Sequence, residues 1–178
     1  MEGHFADDDE QPVKVIATEE EFLNIKRQLL DPELPIPARY RALFTLYNLG
    51  GEKVIDALSL GNIGRIESRS HIPSIGFADK SALLKHEIAY VLGQMQNEYA
   101  IPVLTKVLEN TEENSMVRHE AGEALGAIGS PDSIPLLQKF TTDPVQEVAE
   151  TCSLAIDTIQ YKLKHGNEKW VWNRNNVY

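Results

Sequence analysis

Apolar residues recur at helical spacing along most of the chain. One stripe consists of Leu84, Ile88, Val91, Leu92 and Met95, and a second of Val117, Ala121, Ala124, Leu125 and Ile128. Steps of three and four residues place each stripe on one face of an α-helix, where it is expected to form the core. No segment alternates apolar and polar residues over a useful length, so the pattern does not predict strands.

These two stripes belong to a repeat with an offset of 33 residues, from His86 to His119. Each copy contains two helical patterns separated by a turn, and an Ile-Pro pair opens the second helix at Ile101 and at Ile134. A degenerate copy begins at Ala38, and the start of another begins at Asp143. The pattern therefore predicts an all-α fold, an α-solenoid of about four helical hairpins.

Three regions fall outside the repeat. Residues 1–12 are polar and acidic, and we expect them to be disordered. Residues 61–80 interrupt the first repeat with Gly, Ser and Pro and are predicted to form an inserted loop. Residues 166–178 contain Trp170 and Trp172 but no repeat pattern, and are predicted to form a tail. The solenoid domain is thus predicted to span residues 13–165.

Composition narrows the classes of partner. The chain has 17 basic and 27 acidic residues, a net charge of -10, which argues against nucleic acid or an anionic membrane and favours a basic protein partner. A single cysteine, Cys152, excludes an intramolecular disulfide and zinc sites built on several thiolates. Neither a signal-peptide pattern nor a stretch of about 18 apolar residues occurs. We therefore expect a cytosolic protein, with nuclear residence left open.

The same His-Glu pair occurs at the same position of two consecutive repeats, as His86-Glu87 and His119-Glu120. Helical geometry places His86 about 200° around the axis from Leu84, away from the core stripe. Imidazole and carboxylate are the ligands expected for non-haem iron, manganese or zinc.

A single pair of this kind is more often a solvated surface pair. The corresponding positions in the flanking repeats, Tyr40-Arg41 and Glu147-Val148, do not carry it, so repetition of the scaffold alone does not explain it. Gly122 and Gly126 also lie on the histidine face of the second helix, where each glycine costs about 1 kcal/mol relative to alanine. We therefore expect something to approach that backbone closely.

Four segments resemble a known family: SALLKHEIAYVLGQMQ from Ser81, MVRHEAGEALGAIG from Met116, PARYRALFTLYNLGG from Pro37 and DPVQEVAETC from Asp143. They are similar to deoxyhypusine hydroxylases, HEAT-repeat enzymes that use two iron ions to hydroxylate the deoxyhypusine residue of a eukaryotic translation factor. Apart from the predicted loop, the resemblance covers roughly residues 20–165 and corresponds to the N-terminal half of such an enzyme. It implies HEAT-type hairpins, with iron ligands at His86, Glu87, His119 and Glu120.

The resemblance also implies a function, a deoxyhypusine monooxygenase that holds half of the ligand set. Glu123, one turn beyond His119, is then a candidate for holding the substrate amine or supporting the ligands; the alternative is a solvated helix charge. Two other functions stay open: an inactive protein-binding scaffold, and a site completed when two half-chains pair. Iron content per chain distinguishes them, because a scaffold binds almost none and a pair shares its metal.

Overall fold

The computed structural model describes residues 17–59 and 75–166. Within these ranges the chain forms eight α-helices and no strand, so the all-α prediction is confirmed. The helices are α1 (Glu19–Leu30), α2 (Ile36–Leu49), α3 (Glu52–Ser59), α4 (Ala82–Gln94), α5 (Ile101–Glu109), α6 (Ser115–Ile128), α7 (Ile134–Phe140) and α8 (Gln146–His165).

One layer of the solenoid consists of α2, α4, α6 and α8, each packed against the next. Helix α5 packs against α6 and α7 packs against α8, so the stack consists of hairpins as predicted. Their pairing differs from the prediction, because the second helix of one copy packs against the first helix of the next copy rather than against its own partner. The second helices begin at Ile101 and Ile134, as the Ile-Pro pairs predicted. The predicted core stripes are confirmed, because all of their members are buried except Met95 and Ile128, which pack partly exposed against the core.

Two pairs of neighbouring helices in this layer approach closely at glycines. A Cβ atom added to Gly93 of α4 would lie 2.8 Å from the Cα atom of Ala124 on α6, and one added to Gly126 would lie 2.8 Å from the Cα atom of Ala155 on α8. Only a hydrogen atom fits between the backbones at these points. The close approach expected at Gly126 is thus real, and what approaches is the next helix.

These contacts correct the alignment of the last repeat. Ala155 occupies on α8 the place that Ala124 occupies on α6, so the offset between α6 and α8 is 31 residues. The offset between α4 and α6 is 33 residues, and aligning His119 with Glu147 had assumed 28. Glu150 and Thr151 are therefore the structural equivalents of His119 and Glu120, and the sequence alignment with Glu147-Val148 was wrong by three residues. The equivalent of Gly126 is Asp157, whose side chain is exposed.

A ladder of buried and half-buried ion pairs connects each helix of the layer to the start of the next one. Its cations directly precede the histidine position of each repeat, and its anions lie in the segments before α4, α6 and α8; the pairs are Arg39–Asp79, Lys85–Glu113 and Arg118–Asp143. Arg118 also donates from Nε to the carbonyl oxygen of Leu108, at 3.1 Å. Because a buried charge is costly unless it is paired, each pair specifies how two consecutive repeats meet.

Only part of the predicted loop and tail can be compared with the structure. Of the predicted loop 61–80, residues 61–74 lie outside the described ranges, while Ile75–Ala78 form a short 3-10 helix with Phe77 buried. The predicted disordered segment 1–12 and the two tail tryptophans also lie outside those ranges. Among the described helices, none combines the length and apolar character needed to cross a membrane.

Candidate metal centre

The two His-Glu pairs meet across the interface of α4 and α6. Nε2 of His86 lies 3.0 Å from Oε2 of Glu120. The His86 side chain is 24% exposed and that of Glu120 only 7%. The pairs therefore share one surface, and the glutamate of the second pair is buried in it.

A second group of potential ligands forms on α6 alone. His119, Glu120 and Glu123 each offer one ligand atom, and these atoms all lie within 4.8 Å of one another. Nε2 of His119 is 3.7 Å from Oε2 of Glu123, a contact that the spacing of four residues on one helix face permits. Glu120 thus belongs to both groups and connects His86 with His119 and Glu123.

Helix α8 fixes the orientation of the His119 ring. Nδ1 of His119 lies 2.5 Å from the Thr151 hydroxyl oxygen and 3.5 Å from the carbonyl oxygen of Glu147. Since a carbonyl oxygen can only accept, a proton on Nδ1 suits both neighbours and leaves the lone pair of Nε2 directed at the carboxylates. Sequence reasoning missed Thr151, although the correct register of α8 places it where α6 has Glu120.

The ring nitrogens of His86 have fewer hydrogen-bond partners than those of His119. Its Nδ1 is buried and has no hydrogen-bond partner in the described residues, although Oε1 of Glu87 lies 3.5 Å away. Glu87 stays outside the group on α6 and lies towards α2, where burial and the Glu87 charge raise the pKa of Tyr40 to about 12. The Tyr40 hydroxyl donates to the carbonyl oxygen of Leu83 at 3.2 Å.

The cluster has more negative than positive groups. Burial raises the pKa of Glu120, as do the charges of Glu123 and Glu87, while the two histidines lower it. Among the described residues no lysine or arginine forms an ion pair with these three carboxylates. Two imidazoles, three carboxylates, an unpartnered buried nitrogen and a buried carboxylate without a strong cation together fit a divalent metal such as non-haem iron.

Comparisons with known proteins agree with this fold. Residues 75–157 match the HEAT-repeat family. The chain is 50% identical over 153 residues to a deoxyhypusine hydroxylase of Gallus gallus, which covers 86% of this chain and 46% of that protein. It is 54% identical over 145 residues to the Xenopus laevis enzyme of the same name, with 82% of this chain and 43% of that protein covered.

A solved structure gives the same result. Human deoxyhypusine hydroxylase in complex with glycerol matches with a TM-score of 0.74 and 47% sequence identity, covering 85% of this chain and 48% of that one. The chain spans about half the length of the relatives it matches. It is therefore a stack of HEAT-type helical hairpins that is similar, in sequence and in fold, to about half of a deoxyhypusine hydroxylase.

Proposed function

We propose that this chain is a half-site form of deoxyhypusine monooxygenase, with its ligands in the α4–α6 cluster. The observation that carries the proposal is the contact of 3.0 Å between His86 and Glu120, which brings two sequence-distant His-Glu pairs into one cluster. The homology to proteins named deoxyhypusine hydroxylase supports the choice of reaction.

Iron held by these residues would supply the oxygen activation that insertion into an unactivated C–H bond requires. His86 and His119 are the neutral nitrogen ligands in this proposal, and Glu87 and Glu120 the anionic oxygen ligands. Thr151 and the Glu147 carbonyl contact Nδ1 of His119, which orients the ring so that Nε2 faces the cluster. Half of the ligands of a complete site with two iron ions come from this chain.

The substrate in this proposal is the deoxyhypusine side chain of a translation factor, encountered in the cytoplasm. That side chain carries ammonium groups, which suits a chain with a net charge of -10. Glu123 has the most exposed carboxylate of the group, with 62% of its side chain accessible. It is therefore the residue that we propose to hold a substrate ammonium beside the ligands.

The test is to measure iron per chain and product formation with the full chain, alone and mixed with the remaining half of the Gallus gallus relative. Alone, the chain is expected to bind iron weakly and to form little product, because losing half of the ligands weakens binding by orders of magnitude. Adding the second half, or concentrating the chain until copies pair, should restore iron first and turnover next.

His119→Ala should prevent this rescue, while His165→Ala, an exposed histidine at the end of α8, serves as the matched control and should not. Full activity in a dilute monomer would show that the residues present suffice and that the half-site account is wrong. No iron and no product under any condition would instead favour the protein-binding scaffold.

A further inference from the structure

A groove of about 400 Å³ runs between α6 and α8, directly beside the candidate metal cluster. Its walls are His119, Glu123, Gly126 and Ala127 on one side and Thr151, Leu154, Ala155 and Thr158 on the other. The stretch from His119 to Ala127 gives a length of about 12 Å at 1.5 Å per helical residue. The groove therefore begins at two residues of the cluster and leads away from it.

Away from the cluster, the groove is suited to an aliphatic chain. The contact between Gly126 and Ala155 keeps its floor shallow, and Leu154 forms an exposed apolar wall. The hydroxyl of Thr158 donates to the Leu154 carbonyl at 2.9 Å, and the Ala127 carbonyl accepts from Nζ of Lys162 at 2.6 Å. Since these polar groups already have partners, methylene groups can lie over them without leaving a hydrogen bond unmade.

The charges give the groove a direction. Glu123 occupies the position that Phe44, Tyr90 and Leu154 occupy in the other repeats, all of them exposed apolar residues, so it is the one acid of that row. Lys162 places a cation near the opposite end. An ammonium group is thus attracted to the end beside the cluster, while an aliphatic segment is favoured along Leu154.

We propose that the α6–α8 groove binds the methylene chain of an ammonium-bearing side chain, with Glu123 binding the ammonium and Leu154 selecting the aliphatic segment. This inference rests on the proposed function, in which the substrate is an aminobutylated lysine. It adds a substrate subsite on α8, a helix that contributes no ligand to the cluster.

The test uses the metal-free full chain and a short peptide carrying Nε-(4-aminobutyl)lysine, with the unmodified lysine peptide for comparison. Affinity is measured by calorimetry, and circular dichroism checks that each variant is folded. Glu123→Gln and Leu154→Asn should each weaken binding of the modified peptide by about tenfold. The matched controls are Glu109→Gln, exposed on α5, and Leu163→Asn, whose side chain is exposed on α8 like that of Leu154; both should bind as the unsubstituted chain does.

Leu154→Asn is the decisive variant for the groove, because Leu154 is not a candidate metal ligand and its substitution tests the subsite alone. Unchanged affinity in this variant, no preference for the modified over the unmodified peptide, or no binding at all would overturn the groove proposal. Iron content and product formation are measured separately with the second half present. Iron binding without peptide discrimination would leave the proposed function standing and remove the subsite, whereas discrimination without iron or product would do the reverse.

Discussion

Two sets of charged residues repeat side by side in this molecule, one position apart in the sequence. The ladder cations Lys85 and Arg118 directly precede His86 and His119. In the ladder, every cation is buried or half-buried and faces one carboxylate, so the charges balance. In the cluster, three carboxylates face two imidazoles that are neutral in their unprotonated form, and no lysine or arginine of the described chain balances them.

The contrast shows that repetition alone does not identify a functional site. Both sets recur from repeat to repeat, yet the ladder is complete as it stands, since its pairs satisfy each other. The cluster has excess negative charge and an unpartnered nitrogen on His86, and a bound cation would satisfy both, since the described residues do not supply one. The ladder should therefore govern stability, and the cluster should govern binding.

Removing a ladder cation should have the largest effect on folding. Arg118→Ala leaves Asp143 buried without its partner, and we expect the free energy of unfolding to fall by about 3–5 kcal/mol. Urea denaturation of the metal-free chain measures this, with Lys106→Ala, an exposed residue of α5, as the control. A loss no larger than that of the control would show that the ladder does not hold the repeats together.

The same pair should make stability depend on pH. Hydrogen bonds from Arg118 lower the pKa of Asp143, so its stabilising contribution is fully present above the unfolded pKa of about 3.9 and is lost as the pH falls through the lower folded pKa. The stability difference between the unsubstituted chain and Asp143→Asn should thus be constant from pH 5 to 7 and shrink below about pH 4. A difference that persists undiminished at pH 2 would contradict this origin.

A substitution in the cluster should act in the opposite direction. Glu120→Gln removes a buried charge that has no lysine or arginine partner, so the metal-free chain should gain on the order of 1 kcal/mol in unfolding free energy at pH 7. The same variant should lose the iron that the complete assembly retains. Destabilisation without any change in iron binding would mean that Glu120 is a structural residue like those of the ladder.

The smallest change in unfolding free energy is expected for an exposed ion pair. Glu19 and Lys53 pair at the surface, with side chains that are 66% and 54% exposed. Glu19→Gln should change the unfolding free energy by less than about 1 kcal/mol, and 1 M NaCl should remove the difference. A larger, salt-resistant effect would show that burial is not what separates strong from weak pairs in this fold.

The stripes from Leu84 to Met95 and from Val117 to Ile128 were sufficient to predict helices α4 and α6, because a buried helix face has to repeat every three to four residues. Which helices pair in the hairpins was not predictable from them, since the second helix of each copy packs against the next copy. The register of α8 was not predictable, since it depends on backbone contact at Gly126. The ladder acids were also missed, because they follow their cations at separations of 40, 28 and 25 residues, set by segments of unequal length.

The residues of the candidate site likewise include some that the sequence predicted and one that it did not. The two His-Glu pairs could be read from their repetition, and the structure brings His86 and Glu120 into contact; their role as iron ligands stays a prediction. Thr151 gave no signal of its own, because a hydroxyl on a helix is common and becomes informative only when a neighbouring ring is known to lie beside it.

Asp157 on α8 stands where α4 and α6 have the glycines that admit the next helix. A carboxylate in place of a hydrogen atom keeps any further helix from crossing α8 as closely. A stack whose two ends matched could add copies head to tail and grow into an open-ended fibre. With an exposed acid at this edge, such close head-to-tail contact between copies is disfavoured.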